Sequence, residues 1–288
     1  MKNTLQQKNF CIIGLGLLGG SYAMGLSQAG CRVTAVDLSQ DAIDWALAHD
    51  LIAAGTTGSP AALLAEAEAV VLALYPQTAV AWTRENQQSF RPGTLLTDVC
   101  GVKTGVVDAI QGFLRPDVEF IACHPMAGRE VSGVQNANTA MFAPANFILT
   151  PTEKNTPRGI AFAEALARTL GFARITRLSC AEHDRMIGYV SQLTHAIAVS
   201  LMNASDNTHL AEYTGDSFRD LTRIARINDV MWSELFLENR ANLSQEIDAF
   251  CAALRDVQQK MNDGDREGLR ALFRQSTARR ALFDRKEP

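Results

Sequence analysis

The sequence predicts an α/β chain, a parallel sheet with crossover helices over residues 1–178, followed by an all-helical domain over 179–288. Three observations lead to this. Up to about Leu178, short β-rich runs alternate with helical stretches, the rhythm of βαβ units. The turn Gly14-Leu15-Gly16-Leu17-Leu18-Gly19 joins the first strand run to the first helix, as in a Rossmann-type domain. After Ser179 the strand-like runs stop, and helical patterns with few glycines continue to the tail.

The strand candidates are Phe10–Ile13, Arg32–Val36, Val70–Leu74, Thr94–Thr97, Phe120–Cys123, Asn146–Leu149 and Ala173–Thr176. All are short, and most are rich in β-branched or large apolar residues. The glycine turn leads into a helix over Ser21–Gln28. Ser39 is placed to cap the helix after the second strand, and Ser59-Pro60 reads as an N-cap with proline at the first helical position. Gly171 follows the stretch Arg158–Leu170 as its C′ glycine. There is no internal repeat or low-complexity segment.

Strand, glycine turn and helix together form a dinucleotide fingerprint. Gly14 permits the tight turn, Gly16 lets the backbone approach a pyrophosphate, and Gly19 allows close packing of helix on strand. The second strand run ends in Asp37, at about the 20-residue offset expected of the ribose acid. Its carboxylate can accept from a 2′-hydroxyl and would repel a 2′-phosphate. Leu38-Ser39-Gln40 supplies no arginine, so NAD is favoured over NADP. Leu15, Leu17 and Leu18 belong to the same turn. Leu74, Tyr75 and Pro76, with Asp98 and Cys100, stand at or past the carboxyl ends of two strand runs and are assigned to the cofactor.

His124 closes the run Phe120-Ile121-Ala122-Cys123 and opens the loop Pro125 to Glu130. Ligands of an open α/β sheet sit beyond the carboxyl ends of its strands. A titratable group delivered there can take a proton while a nicotinamide takes a hydride, which points to a dehydrogenase. Farther on, Arg219, Arg223 and Arg226 fall at helical spacing, with Leu221 and Ile224 turned away. Such a stripe suits a carboxylate-bearing substrate. Spacing alone favours a solvated face paired locally, Asp216 with Arg219 or Asp220 with Arg223. His195 lies in a helix apolar on both faces, so it reads as buried, either a satisfied core histidine or a site residue. His49, His183 and His209 have polar neighbours and read as surface residues.

Composition narrows the class. The chain is 47% hydrophobic and 20% charged, with a formal net charge of -4, which argues against nucleic acid or an anionic membrane as partner. Met1 to Asn9 are polar, and the first apolar run is too short for the core of a signal peptide. The longest apolar stretch, Pro60 to Pro76, is interrupted by Glu66 and Glu68, so no membrane span is expected. Six scattered cysteines with no Cys-x-x-Cys pair read as reduced thiols of a cytoplasmic protein, without a metal site. Cys100 and Cys123 read as small packing residues.

Taken together, the motifs resemble those of the prephenate and arogenate dehydrogenases of tyrosine biosynthesis, over nearly the whole chain. The resemblance is carried by Gly14–Gly19, Thr97–Lys103, His124-Pro125-Met126-Ala127-Gly128, Ser191-Gln192-Leu193-Thr194-His195, Phe218–Arg226, Met231-Trp232 and Phe236–Asn239. It implies an NAD-dependent oxidative decarboxylation of prephenate to 4-hydroxyphenylpyruvate, or of arogenate to tyrosine. It implies His124 as the base at the ring C4 hydroxyl, His195 as a residue that positions the substrate, and Arg223 as the holder of a substrate carboxylate. Arg219, Arg226, Arg129, Gln192 and Gly101 are the further substrate-side candidates. It also implies a homodimer through the helical domain, with Val190–Leu201 and the helices after Asn228 at the interface. On this reading the length leaves no room for a fused chorismate mutase ahead of the first strand, nor for a sizeable regulatory domain after Phe283.

Three positions depart from the family pattern. Gly101 stands where serine is common, Gln192 replaces a histidine, and Arg129 replaces a small polar residue. Two other classes remain: another two-domain hydroxy-acid or imine dehydrogenase, and a non-catalytic NAD-binding sensor. The former usually relies on a lysine in the second domain, and this chain has none between Leu178 and Gln259. The latter would not need His124, His195 and Arg223 together.

Overall fold

Six parallel strands form the first sheet: β1 (Asn9–Ile13), β2 (Arg32–Val36), β3 (Ala54–Thr56), β4 (Ala69–Leu72), β5 (Leu95–Asp98) and β6 (Glu119–Phe120), in the order 3-2-1-4-5-6. Helices α1 (Leu17–Gln28), α2 (Gln40–Ala48), α3 (Ala61–Glu66), α4 (Pro76–Asn86) and α5 (Thr104–Phe113) make the crossovers. This computed structural model describes residues 5–129 and 131–283. Glu130, which ends the expected loop after His124, and Met1 to Thr4 of the polar start lie outside the described residues. Along β1, Phe10 and Ile12 enter one hydrophobic core while Cys11 and Ile13 enter another. A parallel sheet buries both faces, so its strands read as continuous apolar runs.

A second sheet was not expected. It consists of β7 (Ala122–Pro125), β8 (Asn146–Thr150) and β9 (Arg174–Arg177), with β7 antiparallel and β9 parallel to β8. α6 (Pro157–Thr169) connects β8 to β9. The single run anticipated at Phe120–Cys123 therefore belongs to two sheets. Ile121 still donates its N–H to Leu96 of β5, and the next residue, Ala122, pairs with Thr150 of β8. An apolar run carries no mark of where its hydrogen-bonding partner changes. As a result His124 lies within a strand, opposite Ile148, rather than in the loop that follows.

Local signals placed the helix ends within a few residues. Ser39 Oγ accepts the Ala42 N–H at 3.2 Å. Pro60 is itself the cap of α3, one residue later than expected. α1 begins at Leu17 instead of Ser21, so Gly19 lies inside its first turn. Gly171 has φ +83°, and the bonds Phe172 N–H to Ala167 O and Gly171 N–H to Arg168 O, both 3.1 Å, complete a Schellman closure of α6. The unanticipated β3 has glycine at its centre, and a Cβ on Gly55 would lie 2.8 Å from Ile43 of α2. Close helix packing explains that glycine, and its lack of side chain hid the strand.

The helical region begins with α7 (Cys180–Ile187), a π-helical segment (Gly188–Leu193) and α8 (Thr194–Asn203). α9 (Leu210–Tyr213), α10 (Asp216–Thr222), a 3-10 turn (Arg223–Ala225) and α11 (Asp229–Glu238) follow. α12 (Arg240–Asn262), α13 (Arg266–Arg280) and a 3-10 turn (Ala281–Phe283) are the last described elements. The last strand ends at Arg177, but the division into compact units falls between Asn239 and Arg240. α7 packs on α5, and Leu235 of α11 joins the core that holds Val106 and Ile110. Those contacts bind residues up to Asn239 to the sheet.

The glycine turn supplies a stability test. Gly14 has φ +94°, and a Cβ there would lie 2.6 Å from the Ala73 carbonyl oxygen. Gly14→Ala is expected to destabilise the fold by about 1–3 kcal/mol, read as a lower urea midpoint. An unchanged midpoint would mean that the turn relaxes around the methyl group.

Candidate active site at the strand ends

β1 and β4 are neighbours whose chains leave in opposite directions, which opens a crevice beyond their carboxyl ends. The glycine turn lines it. A Cβ on Gly19 would stand 1.8 Å from the Gly14 carbonyl oxygen, so α1 sits directly on the turn. A Cβ on Gly16 would meet nothing within 4 Å. Gly16 is the N-cap of α1, and the first-turn N–H groups at Leu17, Leu18 and Gly19 lack intrahelical acceptors. An exposed, side-chain-free helix start of this kind fits a diphosphate. Asp37 follows β2 directly, its Oδ2 accepting the Leu15 N–H at 2.5 Å and its Oδ1 accepting the Ser39 N–H at 2.8 Å. These bonds fix its carboxylate at the lip with lone pairs left for a ribose hydroxyl. Leu74 packs against Gly14, and Tyr75 is the N-cap of α4, its hydroxyl accepting from Asn228 Nδ2 at 3.1 Å.

Asp98 and Cys100, assigned to the cofactor, are both buried, and the Cys100 thiol lies 3.6 Å from the Leu74 carbonyl. Asp98 is fully buried. Its Oδ1 accepts the Cys123 N–H at 3.0 Å, and Oδ2 accepts the Cys100 N–H at 3.0 Å and Lys103 Nζ at 2.5 Å. Lys103, equally buried, also donates to the Cys123 carbonyl at 2.5 Å. With its oxygens occupied in this way, Asp98 anchors β5 to β7. The Cys100 thiol is buried, and burial with the adjacent Asp98 pushes its pKa well up, so it is no nucleophile. Burial likewise carries Cys123 to about 12.

Side chains alternate along β7: Cys123 points into one core, while Ala122 and His124 face the other. His124 Nδ1 lies 2.8 Å from Nε2 of His183, and His183 Nδ1 lies 2.8 Å from Asp184 Oδ1. Asp184 in turn accepts the N–H groups of Lys103 and Thr104, both at 2.8 Å, at the start of α5. His183 is therefore not the surface residue expected from its polar neighbours. A capping box between Ser179 and Glu182 starts α7, and the helix then turns His183, Asp184 and Ile187 inward. The i, i+4 pair of His183 and Ile187 was the available signal, but three residues are too few to define a face.

Burial, then the neighbouring His183 and Lys103, holds the His124 pKa well below its ordinary 6.5. Burial also lowers His183, against the opposing effect of its hydrogen bond to Asp184. For Asp184 burial acts upward, yet hydrogen bonds from His183 and Thr104 carry its carboxyl below the usual 3.8.

α11 joins this end of the site to the other histidine. A Cβ on Gly101 would lie 3.3 Å from Leu235 and 4.0 Å from His124 Cε1. One turn earlier on α11, Trp232 stacks on His195 with ring centroids 3.7 Å apart. His195 Nδ1 donates to the Ser191 carbonyl at 2.9 Å. A serine at position 101 would crowd Leu235, so the glycine and that leucine form a matched pair. Gln192, assigned to substrate, is only 1% exposed. Its Nε2 donates to the Leu235 carbonyl at 2.9 Å, and its Oε1 accepts from Asn239 at 2.7 Å. It ties the π-helical segment to α11.

The arginine stripe does not form one helical face. α10 stops at Thr222 and Arg223 opens the 3-10 turn, and Leu221 is itself 61% exposed. Arg219, Arg223 and Arg226 are all exposed, and Arg219 approaches Asp216 at 3.7 Å. α10 and the 3-10 turn pack on α8, which puts Arg223 on an element adjoining the one that carries His195. Arg129 is exposed on the loop after β7. The stretch around His195 is also less enclosed than its composition suggested, with Val190 49% exposed in the single chain.

A dinucleotide cradle with a desolvated histidine beside it and a helical segment behind defines a two-domain nucleotide-dependent dehydrogenase. Residues 23–176 match the prephenate dehydrogenase nucleotide-binding domain, and residues 179–275 match the prephenate dehydrogenase dimerization domain. The chain belongs to the prephenate dehydrogenase family. It is similar to the prephenate dehydrogenase of Bacillus subtilis, 27% identical over 281 residues, covering 95% of this chain and 74% of that protein. It is 29% identical over 285 residues to the cyclohexadienyl dehydrogenase of Zymomonas mobilis, covering 96% of each. Among solved structures, prephenate dehydrogenase from A. aeolicus in complex with hydroxyphenyl propionate and NAD+ superposes with a TM-score of 0.89 at 27% identity. The match covers 98% of this chain and all of that one (100%).

The histidine pair has a pH signature. A histidine whose pKa is lowered by folding binds its proton more readily when unfolded. Its contribution to stability is whole above about 6.5 and is lost as pH falls toward the folded value. The thermal midpoint is expected to drop as pH is lowered from 6.5. NMR should show the His124 and His183 rings still unprotonated as the pH is lowered through 6.5. Protonation of both of these rings near 6.5 would contradict their desolvation.

Proposed function

We propose that the protein catalyses the NAD-dependent oxidative decarboxylation of prephenate to 4-hydroxyphenylpyruvate, with arogenate as the alternative substrate of the same chemistry. The observation that carries this reading is His124, neutral and partly buried on β7 near Gly101, in a family member with an intact dinucleotide cradle. The Gly14–Gly19 turn and Asp37 would hold NAD, which supplies the hydride acceptor when bound. Neutral His124 takes the proton of the ring C4 hydroxyl as hydride leaves C4 and the ring carboxylate departs as carbon dioxide. Aromatisation drives the reaction forward, so the protein's work is orientation and the base. His195, stacked on Trp232, lines the substrate side, and Arg223 holds a carboxylate from the adjoining turn.

The active form on this reading is a homodimer joined through the helical domain, residues 179–288. The match to a dimerization domain supports it. So do the exposed Val190 and Leu201 on one compact unit, and Ile247, Phe250 and Leu254 in an apolar stripe on α12.

Formation of reduced cofactor with prephenate and with arogenate tests the assignment, and the ratio of the two rates reports the side-chain preference. His124→Asn should lower kcat on the order of 100-fold or more with NAD affinity unchanged, and near wild-type turnover would remove His124 as the base. Arg223→Ala should raise the substrate KM by roughly 10- to 100-fold, the loss of one charge-assisted contact. An unchanged KM would return Arg223 to a solvated face.

A further inference from the structure

We propose that His183 and Asp184 form a relay behind His124 that decides which nitrogen of the catalytic ring is the base and holds the charge that the ring acquires. The inference rests on the reading that His124 takes the substrate proton. His183 and Asp184 are then positioning residues, acting through His124 without touching the substrate.

The proton positions follow from what each atom can accept. Asp184 Oδ1 is an acceptor, so the 2.8 Å contact with His183 requires the hydrogen on His183 Nδ1. A neutral ring then has its lone pair on Nε2. That lone pair faces His124 Nδ1 at 2.8 Å, so the hydrogen of this second bond belongs to His124 Nδ1. Nε2 of His124 is left with the lone pair and is the base. The opposite assignment would set a bare His183 nitrogen against a carboxylate oxygen in a buried place, two acceptors with no proton between them.

Asp184 is itself fixed in position. It receives the N–H groups of Lys103 and Thr104 at the start of α5, where the helix dipole favours an anion. Asn239 Nδ2 holds its backbone carbonyl at 2.8 Å. The charged groups facing His183 are Asp184, Lys103 and Asp98, with His124 on the other side. Asp98 is paired with Lys103, so those two charges largely cancel. When His124 Nε2 takes a proton, Asp184 is the anion aligned with the new imidazolium through His183.

The test combines 15N NMR of the histidine rings with steady-state kinetics. In the wild type, His124 should show a protonated Nδ1 and an unprotonated Nε2. His183→Phe keeps a ring of similar size without an acceptor. It should lower kcat on the order of 100-fold, shift the acid limb of kcat, and leave KM and NAD affinity within about two-fold, with His124 in mixed tautomers. His183→Gln, whose amide oxygen can accept from His124, should recover part of kcat. These variants leave the Asp184 bonds to α5 in place, which Asp184→Asn would disturb. Wild-type turnover with an unaltered kcat and acid limb in His183→Phe overturns the relay, as does a wild-type His124 protonated at Nε2. Absence of turnover on either substrate by wild type with NAD bound would instead overturn the assignment of His124 as base, while the ring tautomer would still judge the relay.

Discussion

The site depends on one buried ion pair, Asp98 with Lys103, at the end of β5. Asp98 accepts the backbone N–H of Cys123 and of Cys100, and Lys103 returns a bond to the Cys123 carbonyl. β7 is thereby attached to β5 just before His124, where the chain leaves the first sheet. The same residue, Lys103, gives its N–H to Asp184, so α7 is registered against the same point. A buried pair contributes little net stability, because desolvation offsets its attraction, but removing one partner costs about 3–5 kcal/mol. Here the pair specifies position, setting two sheets and a helix in one arrangement around the histidine.

Around that anchor the site combines apolar enclosure with a few directed polar contacts. Leu235 stands over Gly101 and beside His124, and the lowered His124 pKa follows chiefly from loss of water. An uncharged imidazole in the ordinary pH range is the form a base must have. α11 serves both ends of the site, with Leu235 near His124 and Trp232 on His195 about one turn away. Gln192 and Asn239 hold α11 in register through hydrogen bonds that are themselves buried. Gln192 is therefore a residue of the framework.

The dinucleotide half was legible because its constraints are local. Gly14 needs a positive φ, Gly19 needs contact between helix and turn, and Asp37 directly follows the neighbouring strand, all within one βαβ unit. The cap at Ser39 and the closure at Gly171 involve residues within five positions of each other, so composition announced them. His124 was legible as a candidate because a histidine ending an apolar run is conspicuous. β3 was not, since a three-residue strand centred on glycine has no pattern to detect.

The α/β class, most of the strands and crossover helices, the nucleotide turn and the identity of the candidate base were determined by the sequence alone, through short-range sterics and the periodicity of apolar residues. Tertiary structure decided the rest. It divided Phe120–Cys123 between two sheets, turned His183 and Asp184 inward behind His124, buried Asp98 and Gln192, and broke the arginine stripe at Thr222. Each of these outcomes depends on partners far along the chain, such as Cys123 for Asp98 or Thr104 for Asp184. A polar residue looks the same in sequence whether water or a distant backbone group satisfies its hydrogen bonds, and only the folded chain supplies the second alternative.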